Sequence, residues 1–287
     1  MDASKIGILI DSALDVDKSF RLQNNVKVVP VYVNFGEKSY KDRVDLSIAR
    51  FFDMIDSSKN WPTTSQPPPS DFYQAYKELS ETTKEIYSFH VSSKLSGTIQ
   101  SARIASEEFM DDHPDVSITI IDTLSVSIGG QIIIEKFLQL YQESKTTEEI
   151  WEPLDQFIHD LKVFLSLYTL KYLVKGGRLK KSQSFIANLF NIKPVLVLED
   201  GELKPFVKTR GYKACVEKGI ELAFQNRSPD EQFKFVIAVI KDQEYARELK
   251  MELENRYPKA EGTIISIGPA LAVHAGPRAV CCVAYNV

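Results

Sequence analysis

Residues 85–109 read EIYSFHVSSKLSGTIQSARIASEEF. Glu85–His90 is a short run of apolar and aromatic side chains of strand type, and Gly97–Phe109 carries a helical pattern. Between them lies a hydroxyl-rich loop, Ser92-Ser93-Lys94-Leu95-Ser96-Gly97-Thr98. Outward from this segment the same alternation recurs. Lys5–Ile10, Val26–Val33 and Val116–Ile121 read as strands, and Ser47–Ile55, Ser70–Thr82 and Ser125–Glu143 as helices. Strands alternating with helices predict a parallel sheet covered on both faces, a Rossmann-like α/β arrangement. Ligands in such sheets bind beyond the carboxyl ends of the strands. The loops Asp11–Asp15, Trp61–Ser70, Ser92–Gly97 and Asp122–Gly130 are therefore expected to crowd one edge.

Beyond Leu161 the pattern changes. Val163–Tyr168 reads as a strand, followed by a basic helical stretch up to Phe190. Lys193–Leu198 and Leu203–Lys208 flank Asp200-Gly201 as a hairpin. Tyr212–Phe224 and Tyr245–Tyr257 read as helices. Phe233–Ile240, Thr263–Ile267, Leu271–His274 and Val280–Ala284 read as strands. This predicts a mixed-sheet α/β (α+β) domain over 161–287 after an N-terminal α/β domain over 1–160. Charge breaks at the same place: 15 Lys and Arg stand against 26 Asp and Glu in 1–160, and 20 against 13 in 161–287.

The 287 residues carry a net charge of −4, with 44% hydrophobic and 26% charged side chains. Those proportions exclude a disordered or collagen-like chain and argue against a surface built to coat nucleic acid. The three cysteines, Cys215, Cys281 and Cys282, form no CxxC pair, which implies a reduced protein. The apolar run Ile6–Ile10 is too short for a signal peptide or a membrane span, so a cytoplasmic location is expected.

No phosphate-binding glycine loop, HExxH zinc motif or GxSxG elbow occurs, and the four histidines lack metal-ligand spacing. No metal and no cofactor are expected. Hydroxyls concentrate instead at two strand-end loops. In Trp61-Pro62-Thr63-Thr64-Ser65-Gln66-Pro67-Pro68-Pro69 the prolines stiffen a backbone that can aim Thr64 and Ser65 at a fixed point. Ser96-Gly97-Thr98 opens a helix, where free N–H groups suit a carboxylate or phosphate, although Ser and Thr are also ordinary N-caps. Asp11 can cap a turn, hold the hydroxyls or bind a metal. Lys171, Lys175, Arg178, Lys180 and Lys181 surround Gly176-Gly177, as a solvated surface or as a site for phosphates or an anionic partner. His274 lies within the glycine- and proline-framed run 268–278. Two other readings of these residues stay open: a hydrolase or transferase with Ser96 as nucleophile and His90 or His274 as base, and a nucleic-acid or regulatory module using the basic run.

Taken together, Ile10-Asp11-Ser12, Val29-Pro30-Val31-Tyr32-Val33, Tyr40-Lys41-Asp42, Pro62–Pro67, Ser92–Thr98, Asp122-Thr123, Gly176-Gly177-Arg178, Ile192-Lys193-Pro194 and Gly268–His274 resemble, in order, the motifs of the DegV family. Its members are fatty-acid-binding carrier subunits of bacterial fatty acid kinase. The resemblance implies two α/β domains and a buried long-chain fatty acid, with no nucleic-acid partner. It implies a carboxylate held by Thr64 and Ser96, with Ser65 and Gly97 beside them. It also implies that Arg178 and His274 lie near phosphoryl transfer and that Arg210 docks an ATP-dependent kinase subunit. Catalysis would belong to that subunit, and the fatty acid would be collected by transient contact with a membrane surface. Arg278 departs from the family's pattern, which has glycine after Gly276-Pro277.

Overall fold

Pro30 divides what reads as one strand, Val26–Val33, into two strands of different sheets. Proline lacks the N–H that a sheet interior needs, so the chain leaves one sheet there and starts another. The computed structural model describes residues 1–58, 60–179 and 193–286, in two units, Met1–Asp160 and Leu161–Val287.

In the first unit the order is β1 (Gly7–Asp11), α1 (Lys18–Gln23), β2 (Val26–Val29), β3 (Tyr32–Phe35), β4 (Lys38–Lys41), α2 (Ile48–Ser57), β5 (Thr63–Ser65), α3 (Pro69–Ser80), β6 (Glu85–His90), α4 (Thr98–Asp112), β7 (Ser117–Asp122), α5 (Ile128–Glu143) and α6 (Glu148–Asp160). The main sheet is all parallel, ordered β2-β1-β6-β7. The chain moves to one side of β1 for β2 and to the other for β6, so the crevice between the ends of β1 and β6 is the topological switch point. A second sheet, β4-β3-β5, is antiparallel and takes its third strand from the proline-rich loop.

Both faces of β6 are covered. Ile86 joins Leu9, Phe72, Ala75, Tyr76, Ala102 and Phe109 under α3 and α4. Tyr87 and Phe89 point the opposite way, by the two-residue period of a strand, and meet Phe137 of α5, with ring centroids 4.5 and 5.2 Å away.

The second unit runs β8 (Val163–Leu167), α7 (Lys171–Lys175), β9 (Lys193–Glu199), β10 (Glu202–Thr209), α8 (Tyr212–Ala223), β11 (Lys234–Val239), α9 (Gln243–Arg256), β12 (Glu261–Ser266), α10 (Pro269–Ala275) and β13 (Ala279–Tyr285). Its sheet is mixed, ordered β10-β9-β8-β13-β11-β12, with β11 and β12 parallel and the other neighbours antiparallel. The β9–β10 hairpin turns at Asp200 and Gly201, both at positive φ, as a two-residue hairpin turn demands. Phe224, Phe233, Phe235 and Tyr257 form an aromatic core on one face.

The expected strand Leu271–His274 is instead part of helix α10. Pro269 occupies its first turn and Gly276, at φ 83°, ends it, the usual proline-in, glycine-out signature. Of the helix expected up to Phe190, the described part is α7; residues 180–190 lie outside the described residues. Among the described residues, no helix is long and apolar enough to cross a membrane.

Candidate functional site

Four loops leave the carboxyl ends of the first unit's strands, and hydrogen bonds join them. Asp11, at the end of β1 and fully buried, accepts from Ala13 N through Oδ1 and from Val91 N through Oδ2, each at 2.9 Å. It thus caps its own turn and fixes the start of the loop after β6. Ser92 N donates to Ser125 O at 2.8 Å, and Ser127 N donates to Ala13 O at 2.8 Å. Asp122 accepts from Ser93 N at 3.3 Å. On the same edge the Ser12 hydroxyl donates to buried Asp42 at 2.8 Å, while Asp15 takes the Ser127 hydroxyl at 2.6 Å and pairs with Arg43. That carboxylate holds the Arg43 guanidinium above its ordinary pKa, against the opposing effect of burial.

The proline-rich loop joins this group through Gln66. Its Nε2 donates to Ser101 Oγ, one turn into α4, at 2.8 Å. Its Oε1 lies so close over Gly97 that a Cβ there would sit 2.2 Å from it. The two hydroxyl-bearing loops, 61–70 and 92–98, therefore meet at the start of α4, and only glycine leaves room for the contact. Thr64, half-buried, sits mid-strand in β5 opposite Val33. Ser65 points to the other face of that strand by alternation, and its hydroxyl accepts from Asn34 Nδ2 at 3.2 Å. Ser96 is half-buried. Its Oγ lies 2.8 Å from Thr98 Oγ1 and accepts from Thr98 N at 3.3 Å. The N-cap of α4 is Gly97, which makes no side-chain cap bond, and Gln100 N turns back to Gly97 O at 2.9 Å. Gln66 carries no hydroxyl, so a search for hydroxyl-bearing residues passes over it. Its spacing from Thr64, on a strand leading into prolines, is the signal that could have marked it.

Beneath the loops runs a buried polar chain. Tyr76 OH lies 3.0 Å from Ser88 Oγ, Ser88 Oγ 2.8 Å from His90 Nε2, and His90 Nδ1 3.3 Å from Asp11 Oδ2. Burial pushes the Tyr76 hydroxyl well above its ordinary pKa, so it stays a donor. Asp11 only accepts, so Nδ1 carries the histidine proton and Nε2 receives the Ser88 hydroxyl. The order Ser–His–Asp is that of a hydrolase triad, but every member is buried with no exposed surface. Both nitrogens of His90 are engaged, which removes it as a base for Ser96.

In the second unit Arg178 and His274 come together around Gly176. Arg178 Nη1 donates to Gly176 O at 2.7 Å, and a Cβ on Gly176 would lie 2.3 Å from His274 Nδ1. Burial first, then the Arg178 charge, pushes His274 down to about 4, so its ring is neutral at pH 7. Gly276, at φ 83°, packs against the Tyr172 ring. Arg210 is exposed just past the end of β10. Arg278, also exposed, reaches over Tyr168, with Lys193 over the same ring at 4.5 Å. Its backbone takes a plain strand-edge bond, Tyr168 N to Arg278 O at 3.1 Å. Lys180 and Lys181 lie outside the described residues, and among those described no His, Cys, Asp and Glu cluster could hold a metal.

A parallel α/β unit with a polar switch-point edge, followed by a mixed-sheet unit, defines the class of protein. The family model described as "Uncharacterised protein, DegV family" matches residues 5–287. The chain is 31% identical over 281 residues to a DegV domain-containing protein of Clostridium perfringens, covering 98% of each. It is 32% identical over 282 residues to a Thermotoga maritima protein named fatty acid-binding protein, covering 96% of each. A solved structure described as "Fatty Acid Binding of a DegV family Protein from Thermus thermophilus" is similar with a TM-score of 0.87 at 30% identity, covering 99% of this chain and 100% of that one. The chain belongs to the DegV family.

Proposed function

We propose that this protein binds a long-chain fatty acid, encloses its tail and holds its carboxylate at the first unit's strand-end edge with Thr64, Ser96 and the Gly97 amide; Ser65, expected beside them, is turned to the other face of β5 toward Asn34. The observation that carries the reading is the Gln66 contact, which brings the two hydroxyl-bearing loops together at the opening of α4. Two proteins similar to this chain are described as binding fatty acid.

The energetics divide the task. A C16 tail removes about fifteen carbons from water, a gross gain of about 12 kcal/mol at about 0.8 kcal/mol per CH₂, before association and ordering costs. The tail therefore supplies most of the affinity. A buried carboxylate without partners would reverse much of that gain. Hydroxyls and helix-start amides satisfy it as neutral donors, so the headgroup remains anionic and nucleophilic.

In this reading the protein is a carrier rather than a catalyst. It collects the acid at a membrane surface and offers the carboxylate to an ATP-bearing kinase subunit, which forms the acyl phosphate. Arg178 would stabilise the phosphoryl charge, the neutral His274 would orient it, and exposed Arg210 would contact that subunit. Native mass spectrometry before and after organic extraction tests the binding. A mass excess matching a fatty acid, removed by extraction, is expected. A ligand-free protein that takes up no added fatty acid would overturn the reading.

A further inference from the structure

His90, the last residue of β6, is fully buried and takes no part in the proposed headgroup cluster. Its contacts nevertheless reach all four strand-end loops of the first unit. Nδ1 lies 3.3 Å from Asp11 Oδ2, and the other oxygen of Asp11 closes the loop after β1 by taking Ala13 N. The backbone carbonyl accepts from Thr123, from N at 3.1 Å and from Oγ1 at 2.8 Å, and so holds the loop after β7. The next amide, Val91 N, donates to Asp11 Oδ2 at 2.9 Å at the start of the loop that carries Ser96 and Gly97. The imidazole lies edge-on to Phe72, with centroids 5.3 Å apart, in α3, the helix that the proline-rich loop leads into.

The protons of this chain run one way. Asp11 only accepts, so the proton it shares with the ring sits on Nδ1. Nε2 then accepts from the Ser88 hydroxyl, and Ser88 Oγ accepts in turn from Tyr76 OH. Among the described residues no lysine or arginine pairs with Asp11, so the ring N–H is the side-chain donor that aims its carboxylate. Phenylalanine matches the ring in size but offers neither donor nor acceptor. Asparagine can put its amide N–H where Nδ1 stands, whereas glutamine puts its amide where Nε2 stands.

We propose that His90 is a positioning residue for the carboxylate site. Its Nδ1–H aims Asp11, and through Asp11, Thr123 and α3 it sets where the Ser96 loop lies against the Thr64 loop. This rests on the fatty-acid reading, and its test separates the two. A C16 acid and the C16 alcohol are titrated into wild type, His90→Phe and His90→Asn, and amide hydrogen exchange over residues 91–98 is followed in the ligand-free proteins. His90→Phe is expected to bind the acid about tenfold more weakly with alcohol affinity unchanged, and to exchange about tenfold faster over 91–98, the loss of one hydrogen bond to a charged group. His90→Asn is expected to recover most of both, which a role in packing alone would not produce. His90→Gln, which cannot reach Asp11, replaces the phenylalanine variant should that one not fold, with the same outcomes expected. An unchanged acid preference in His90→Phe, an equal loss for acid and alcohol, or a His90→Asn no better than His90→Phe overturns the proposal. A wild type that binds neither ligand counts against the fatty-acid reading, and exchange then decides the positioning role: faster exchange over 91–98 in His90→Phe but not His90→Asn upholds it, and equal exchange in all three overturns it.

Discussion

Replacing Asp11 should loosen the strand-end edge more than any other single change there. Its carboxylate is fully buried and takes two backbone amides at 2.9 Å, besides the 3.3 Å contact to His90. Hydrogen bonds to a charged group contribute about 1.5–3 kcal/mol each, so Asp11→Ala, which strands both amides, should cost about 3–6 kcal/mol. That is a large share of the roughly 5–15 kcal/mol that holds a domain folded. Asp11→Asn keeps the volume but turns an NH₂ toward one of the two N–H donors, for about 2–4 kcal/mol. The neighbouring Asp122 is half-buried and accepts from Ser93 N at 3.3 Å and Leu124 N at 3.0 Å, so water can replace it. Asp122→Asn should cost only about 1 kcal/mol. Urea unfolding followed by tryptophan fluorescence reports this directly, because both tryptophans, Trp61 and Trp151, belong to the first unit. Equal losses for Asp11→Asn and Asp122→Asn, or a cost under about 1 kcal/mol for Asp11→Ala, would refute the idea that buried Asp11 organises these loops.

Three further outcomes follow from the geometry. Gly97→Ala should push the Gln66 amide off α4, since the new Cβ would lie 2.2 Å from Oε1; fatty-acid affinity should fall several-fold with little change in unfolding midpoint, and unchanged affinity would count against the Gln66 contact. Gly276→Ala combines φ 83° with a Cβ 2.6 Å from the Tyr172 ring, so it should destabilise the second unit by about 1–3 kcal/mol in calorimetry. His274 titrates near 4 when folded and near 6.5 when unfolded. Below the unfolded value the unfolded chain gains the proton first, so stability present above about pH 6.5 is lost as pH falls toward 4, by up to about 3 kcal/mol. Urea midpoints at pH 7 and pH 4.5 should converge in His274→Gln relative to wild type; the same pH loss in both proteins would contradict this.

Much of the framework is legible in the residues. Glu85–His90 is a strand end to end, because β-branched and aromatic side chains covered on both faces leave no competing period. The strand-end hydroxyl loops were also readable, since strand, polar loop and helix follow one another without interruption. Three features were not. Pro30 marks a sheet boundary only once the second sheet is known, because a proline can equally stand at a strand edge. Helix α6 contains Pro153, which local rules read as a breaker, and it is held by packing of Ile150, Leu154 and Trp151, a tertiary effect. The apolar run Leu271–Val273 is too short for its period to separate strand from helix; the decisive signals were the flanking Pro269 and Gly276. At the site, hydroxyl types and loop positions were visible, but that Gln66 spans the gap between the loops, and that Ser65 faces Asn34, depends on register that no local pattern encodes.

The headgroup contacts are tested most directly by comparing a C16 acid with the C16 alcohol in titrations of wild type and Thr64→Ala/Ser96→Ala. Tail burial is the same for both ligands, so the ratio of affinities isolates what the polar cluster recognises. Wild type should prefer the acid, and the double variant should lose most of that preference while still binding the alcohol. An acid preference that survives both substitutions unchanged would show that the carboxylate is held elsewhere.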